Sequence, residues 1–337
     1  MRFSFAVAAM ALVSLAFSSY GKDGKDTKAL TVPTLKLESV RELALESNPK
    51  EKAKKYLSAA SGIVKLEDRF YVVSDDALSL FSFKSNEPNV KAHNLLSAKA
   101  KGKKTEKPDI ESLVHLTPME WPPHGALVAW PSASSLSRMT AVVVPFEKDG
   151  ELGSPIFTNI LPLAYQIQPE AKDVNMEGIL IRDDKVFLFQ RGNSKKGKNG
   201  IFEMPLANWI KGLKEEDWSG KIKFESIKLG TLSGVELTFT DAAWTKYGLL
   251  VLASAEDSES SFADGAIFGT VLARVVGDKG EIIAKFDPNT KLEGFVANDT
   301  AGGLELHLVE DSDNSEKASR LFRTVVPSSQ LETLKRK

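Results

Sequence analysis

One pattern of polar and apolar positions recurs five times along this chain: an acidic or hydroxyl residue, a small or polar one, an apolar strand, a polar turn and a second apolar strand. It opens at Ser61-Gly62-Ile63, Glu111-Ser112-Leu113, Glu177-Gly178-Ile179, Asp241-Ala242-Ala243 and Glu293-Gly294-Phe295. The spacings, by subtraction 50, 66, 64 and 52 residues, suit a modular sheet protein with variable loops and are too uneven for a solenoid.

Most units offer four strand-like segments, at 62–66, 69–74, 77–83 and 90–96 in the first and 112–116, 126–130, 138–146 and 156–161 in the second. The third has 178–181, 185–190, 200–204 and 221–229, and the fourth 242–244, 247–253, 265–275 and 281–286. The last shows only 294–297, 303–309 and 320–326, so its missing strand is expected from the N-terminus, where 30–37 carries Leu30, Val32, Leu35 and Leu37. This predicts an all-β, five-bladed β-propeller closed by its N-terminal strand, a closure that leaves few sheet edges exposed. A six-bladed version would need a blade within 97–107 or 208–221. The segments 40–57, interrupted by Pro49, and 206–213 read as short helical decorations.

Met1-Arg2 and the apolar run 3–17 have the form of a secretory signal peptide covering residues 1–21, with 22–337 as one mature domain. The run is short for a membrane helix, which needs about 20 residues. A periplasmic or secreted protein without a membrane span is expected. The absence of cysteine excludes disulfides, thiolate metal sites and cysteine nucleophiles. Without Arg2 the charge is 43 minus 45, or -2, which argues against nucleic acid as a partner. The lysines of 99–107 have no interleaved aromatic residue and read as a solvated loop. A monomer is expected, with a small anionic ligand or a protein as its partner.

In a propeller the innermost strand of each blade runs along the axis, so Ser61, Glu111, Glu177, Asp241 and Glu293 would ring the channel mouth. At about 5 Å and an effective dielectric near 20, each like-charged pair costs roughly 3 kcal/mol, so the ring needs neutralising. A calcium ion suits an all-oxygen set better than zinc does. The competing reading pairs these acids with lysine or arginine, or leaves some protonated. Turns after each second strand should also rim the mouth, with Asp75, Asp76, 132–138, 191–198, 256–264 and 311–313. Lys107, Arg138 and Arg191 are the candidate anion-holding cations, with Asn193 and Gln190 adding hydrogen bonds.

Sharper motifs fail. Residues 192–199 nearly spell a P-loop, but Asn199 stands where the magnesium-binding hydroxyl belongs. The run 311–316 lacks the glycine and distant acid of an EF-hand. His93, His115, His124 and His307 have neither ligand spacing nor a nucleophile motif nearby.

The ordered ring, together with Ser61-Gly62-Ile63, the run 69–76 and Lys291-Leu292-Glu293-Gly294-Phe295, resembles the calcium-activated nucleotidase (apyrase) family of five-bladed propellers. The resemblance implies Ser61, Glu111, Glu177 and Glu293 as ligands of an axial calcium, with Asp241 where that family has serine. After Asp75-Asp76 that family continues with an arginine and a glycine turn, whereas this chain has Ala77-Leu78. Overall the chain is more similar to an uncharacterised family of exported bacterial propellers, through 107–111, 175–178, 190–193 and 239–241, a likeness that implies no activity. The expectation is a calcium-dependent hydrolase of small anionic phosphoesters or anhydrides, with Asp76 or Glu256 as base. The alternative is a non-catalytic binding or assembly protein with a structural calcium.

Overall fold

The computed structural model describes residues 32–46, 55–95, 109–257, 266–312, 314 and 316–332. They build five sheets in chain order, antiparallel but for one added parallel strand in the fourth. Blade one is Ala60–Leu66, Arg69–Ser74, Ala77–Lys84 and Lys91–Asn94; blade two is Ile110–Leu116, Ala126–Pro131, Thr140–Pro145 and Ile156–Asn159. Blade three is Met176–Arg182, Lys185–Gln190, Gly200–Pro205 and Lys223–Ser226. Blade four is built on Val235–Thr245, Gly248–Asp257, Ala266–Val276 and Lys279–Asp287; blade five is Leu292–Thr300, Gly303–Glu310, Arg320–Pro327 and Glu38–Glu42. Each blade's first strand lies against the first strand of the next, and Leu292–Thr300 returns to Ala60–Leu66. The ring therefore closes at five blades, and the six-bladed alternative is excluded by that contact.

The N-terminal stretch closes the ring with different residues from those expected. Within 30–37 the segment Thr34–Lys36 instead joins blade four, parallel to Lys285, Phe286 and Asp287, with Leu35 buried beside Phe286 and Leu292. The strand that completes blade five is Glu38–Glu42, antiparallel to 320–323, and its residues 40–42 fall in the stretch 40–57 expected to be helical. Its Arg41 donates to the carbonyls of Glu87 (2.6 Å), Pro88 (3.0 Å) and Lys84 (3.3 Å), so the closing strand also clamps blade one. Part of the expected helix 40–57 lies outside the described residues, and its described part is strand and isolated bridges.

The core lies between the sheets. Blades two and three enclose Trp130, Trp209 and Trp218, all essentially inaccessible. Trp209 comes from the helix Leu206–Glu215, as expected, and a second helix, Leu161–Ala171, buries Leu163, Ala164, Ile167 and Ala171. Among the described residues no helix is long and apolar enough to cross a membrane.

The first hairpin of every blade carries a register shift near the start of its inner strand. Such a bulge inserts a residue into one strand and re-aims its side chain. This local irregularity positions the polar groups described next.

Candidate metal centre at the channel mouth

In blades two, three and five the residue skipped by the ladder is Glu111, Glu177 and Glu293 respectively. In blade one it is the pair Ser61-Gly62, and in blade four it is Thr240. Glu111, Glu177 and Glu293 are close enough that their charges bear on one another. Burial, reinforced by the charges of Glu177, Asp109, Asp75 and Glu293, pushes the Glu111 carboxyl well above the usual carboxylate range. Burial raises Glu177 too, against the pull of Arg191, and raises Glu293 to about 7 against Lys291 and Arg191. Ser61 is buried at the corresponding place in blade one.

Asp241 is one step out of phase with these acids. Its register partner is Leu252, so it matches Ser112, Gly178 and Gly294, the residues after the bulge. Both its carboxylate oxygens accept backbone amides, from Ala242 and Phe295, each at 2.8 Å. Burial raises this carboxyl to about 8 despite those bonds. Its geometry is that of a tie between blades.

Two cations offset the axial acids. Arg191, 5% exposed, donates to Glu177 Oε1 at 3.2 Å and to Glu256 Oε2. Burial works against its charge, but Glu177, Glu293 and Glu256 outweigh it and raise the guanidinium's affinity for its proton. Lys291 lies 3.1 Å from Asp311 and 3.4 Å from Glu293. Asn175 Nδ2 donates to Glu177 Oε1 at 2.8 Å and reaches Asn193 Oδ1 at 3.5 Å.

A further group of acids gathers between blades one and two. One oxygen each of Asp75, Asp109 and Glu111 lies within 4.8 Å of the others. Backbone bonds hold the group: Asp109 N donates to Asp75 O (2.8 Å) and Ser132 N to Asp109 O (2.9 Å). Asp109 adopts a left-handed backbone, φ 57°, which aspartate tolerates better than most residues. Its Oδ2 accepts Arg138 Nη1 at 2.6 Å and the Ser132 hydroxyl, with the Ser134 hydroxyl at 3.4 Å.

Among the described residues, at least seven carboxylates (Asp75, Asp109, Glu111, Glu177, Glu256, Glu293, Asp311) gather here with the cations Arg138, Arg191 and Lys291. In addition, Glu293 Oε2 is buried and without a hydrogen-bond partner among the described residues. A hard divalent cation with oxygen ligands fits both the charge excess and the donor set.

Of the expected site residues, Asp76 is held by Ser74 Oγ (2.7 Å) and Ser58 Oγ (3.5 Å), and Glu256 is joined to Arg191. Lys107 lies outside the described residues, as do the signal-like segment 1–21 and the basic run 99–107. The ligand potential of Asp75 and Asp109 and the part played by Lys291 were not legible as sites. Asp109 and Glu111 sit two apart in sequence, which was the available signal.

Comparison with known proteins places the chain in context. The family of unknown function (DUF6929) matches residues 56–326. A family 117 glycoside hydrolase produced by the marine bacterium Zobellia galactanivorans is 12% identical, with 88% of this chain and 92% of that chain covered and a TM-score of 0.49. The PQQ-bound aldose sugar dehydrogenase of Streptomyces coelicolor is 12% identical, covering 86% and 97%, with a TM-score of 0.42. The Cellvibrio cellulosa alpha-L-arabinanase is 13% identical, covering 82% and 97%, with a TM-score of 0.44. No curated protein matches.

Proposed function

The chain belongs to that family of unknown function, and from that premise we propose that it is an exported calcium-binding propeller that hydrolyses a small anionic phosphoester or anhydride at its channel mouth. The supporting observation is the convergence of Asp75, Asp109 and Glu111 oxygens within 4.8 Å. Glu177 and Glu293 contribute further negative charge beside them. A bound calcium would polarise a phosphoryl oxygen and neutralise charge developing on it.

The chain's own groups supply positioning and proton transfer. Arg138, reaching in beside Asp109, and Asn193 orient the anion. Arg191 is closed between Glu177 and Glu256, so its role is to set the field of the mouth. Because Glu256 is joined to Arg191, we assign the base to Asp76, whose carboxylate accepts the Ser74 and Ser58 hydroxyls. In the step, water adds to phosphorus, the P–O bond to the leaving group breaks, Asp76 takes the water's proton, and the leaving oxygen departs with a solvent proton.

A structural ion is the second reading, favoured by the enclosure of Arg191 and Lys291, which leaves less of the axis open to a substrate. The two separate in one experiment. Melting temperature and turnover of 4-nitrophenyl phosphate and ATP are measured after chelation and as calcium or magnesium is returned. A calcium-selective rise in both, lost in Glu111→Gln, supports the hydrolase; a rise in melting temperature alone supports the structural ion. No response to either ion rejects both.

A further inference from the structure

We infer that the substrate of this site carries a compact apolar group, a single aromatic ring or a short branched chain, seated in the groove between residues 133–139 and the helix Leu161–Ala171; this rests on the function proposed above. The groove holds about 230 Å³; the apolar part of its lining includes Leu136, Met139, Ala164 and Tyr165, and its polar part includes Ser134, Lys172 and Asp173. Ser134 joins it to the acid cluster, since its hydroxyl lies 3.4 Å from Asp109 Oδ2 and accepts Arg138 Nη1 at 2.8 Å. By contrast, a 410 Å³ cavity at the outer edge of blade one, lined by Arg69, Tyr71, Glu87 and His93, shares no residue with that cluster.

Exposure argues that the groove is a binding feature. Among the described large apolar side chains, Leu136 at 74% and Tyr165 at 63% are the most exposed, and the next, Val276, reaches 49%. Both line this groove. Scattered apolar surface needs no explanation, but the two most exposed apolar side chains converging beside a charged centre fit a pocket that buries a ligand's apolar part. Its volume sets the size. An apolar cavity of about 150 Å³ holds a benzene molecule, so this groove takes one ring and little more. The anionic end would then lie over Ser134 and the acid cluster, where the cation is proposed.

Binding of phenyl phosphate and methyl phosphate to the full-length protein in saturating calcium tests this, read by calorimetry alongside the calcium-dependent melting temperature. The two probes share a charged head and differ in the apolar group. Phenyl phosphate is expected to bind at least about tenfold more tightly, from the apolar area of one ring removed from water. That ratio should fall toward one in Leu136→Asp and in Tyr165→Asp, exposed positions at which a charge does not threaten folding. Equal affinities, failure of both probes to bind, or a ratio that survives both substitutions would overturn the groove assignment while a calcium shift leaves the metal site standing. Absence of the calcium shift would instead remove the metal reading and, with it, the substrate assigned here.

Discussion

Asp241 Oδ2 accepts the Phe295 amide at 2.8 Å, so a side chain of blade four bonds the backbone of blade five's inner strand. At related places in the ring the blades meet through glycine. A Cβ on Gly294 would lie 2.1 Å from Ser61 O, and one on Gly62 would lie 2.5 Å from Leu113 N. At Gly62, Asp241 and Gly294 the residue at the bulge therefore faces the next blade. Where the gap is wide enough, as at Asp241, a carboxylate fills it.

This burial has a pH signature. Asp241 is raised to about 8, whereas an unfolded aspartate sits near about 3.9. Between these values the native state holds a proton that the unfolded chain has released. Stability must then fall as pH rises through this window, by up to about 1.4 kcal/mol per pH unit, and the contribution levels off above about pH 8. Asp241→Asn should lower stability at pH 5 by about 1 kcal/mol, through one compromised backbone bond, yet flatten the decline between pH 5 and 8. Parallel melting curves for the two proteins across that range would refute the assignment.

The glycine seam gives a second expectation. Gly294→Ala puts a methyl against backbone of blade one, which cannot yield as a flexible side chain would. Destabilisation of about 1–3 kcal/mol or more follows. Gly302→Ala, with nothing within 4 Å of its Cβ, should stay within about 0.5 kcal/mol. Urea midpoints decide it, and equal midpoints would show that the blades separate at no cost.

The off-phase place of Asp241 also shows what the sequence made visible and what it concealed. Period-two runs and polar turns reveal the strands, and the five repeats reveal the blade number. A bulge adds one residue without changing the hydropathy pattern, so Asp241-Ala242-Ala243 imitates Glu177-Gly178-Ile179 while Thr240 takes the skipped position. The helix Leu161–Ala171 was hidden by Pro169 within it, a residue that normally argues against helix interior. Asp75 and Asp109 come from different blades, 34 residues apart by subtraction, and meet where blade one packs on blade two, a contact that no local pattern encodes.

Arg191 offers a third prediction. It is the hydrogen-bonded partner of both Glu177 and Glu256, and all three are at most 8% exposed. Arg191→Met leaves two buried carboxylates without that partner and should cost about 3–5 kcal/mol at pH 7. Arg191→Lys keeps the charge but loses the two-pronged geometry, so it should fall between wild type and Met. Denaturant titration checks the order. A Met variant as stable as wild type would mean that the pair contributes nothing net.

Protons and calcium should compete at the mouth. Carboxylate ligands bind metal only when ionised, and Glu111 is held well above the usual range by burial and by its acidic neighbours. Calcium at 100 times its dissociation constant adds about 2.7 kcal/mol to stability, which is several degrees in melting temperature for a domain of this size. Lowering the pH raises the apparent dissociation constant, because each bound ion must displace protons from Glu111 and its neighbours. The calcium-dependent rise should therefore be larger at pH 8 than at pH 6 at fixed calcium. Glu111→Gln should abolish it at both values. An equal calcium response at the two pH values, or one that persists in the Gln variant, would exclude Glu111 as a ligand and move any ion to the remaining acids.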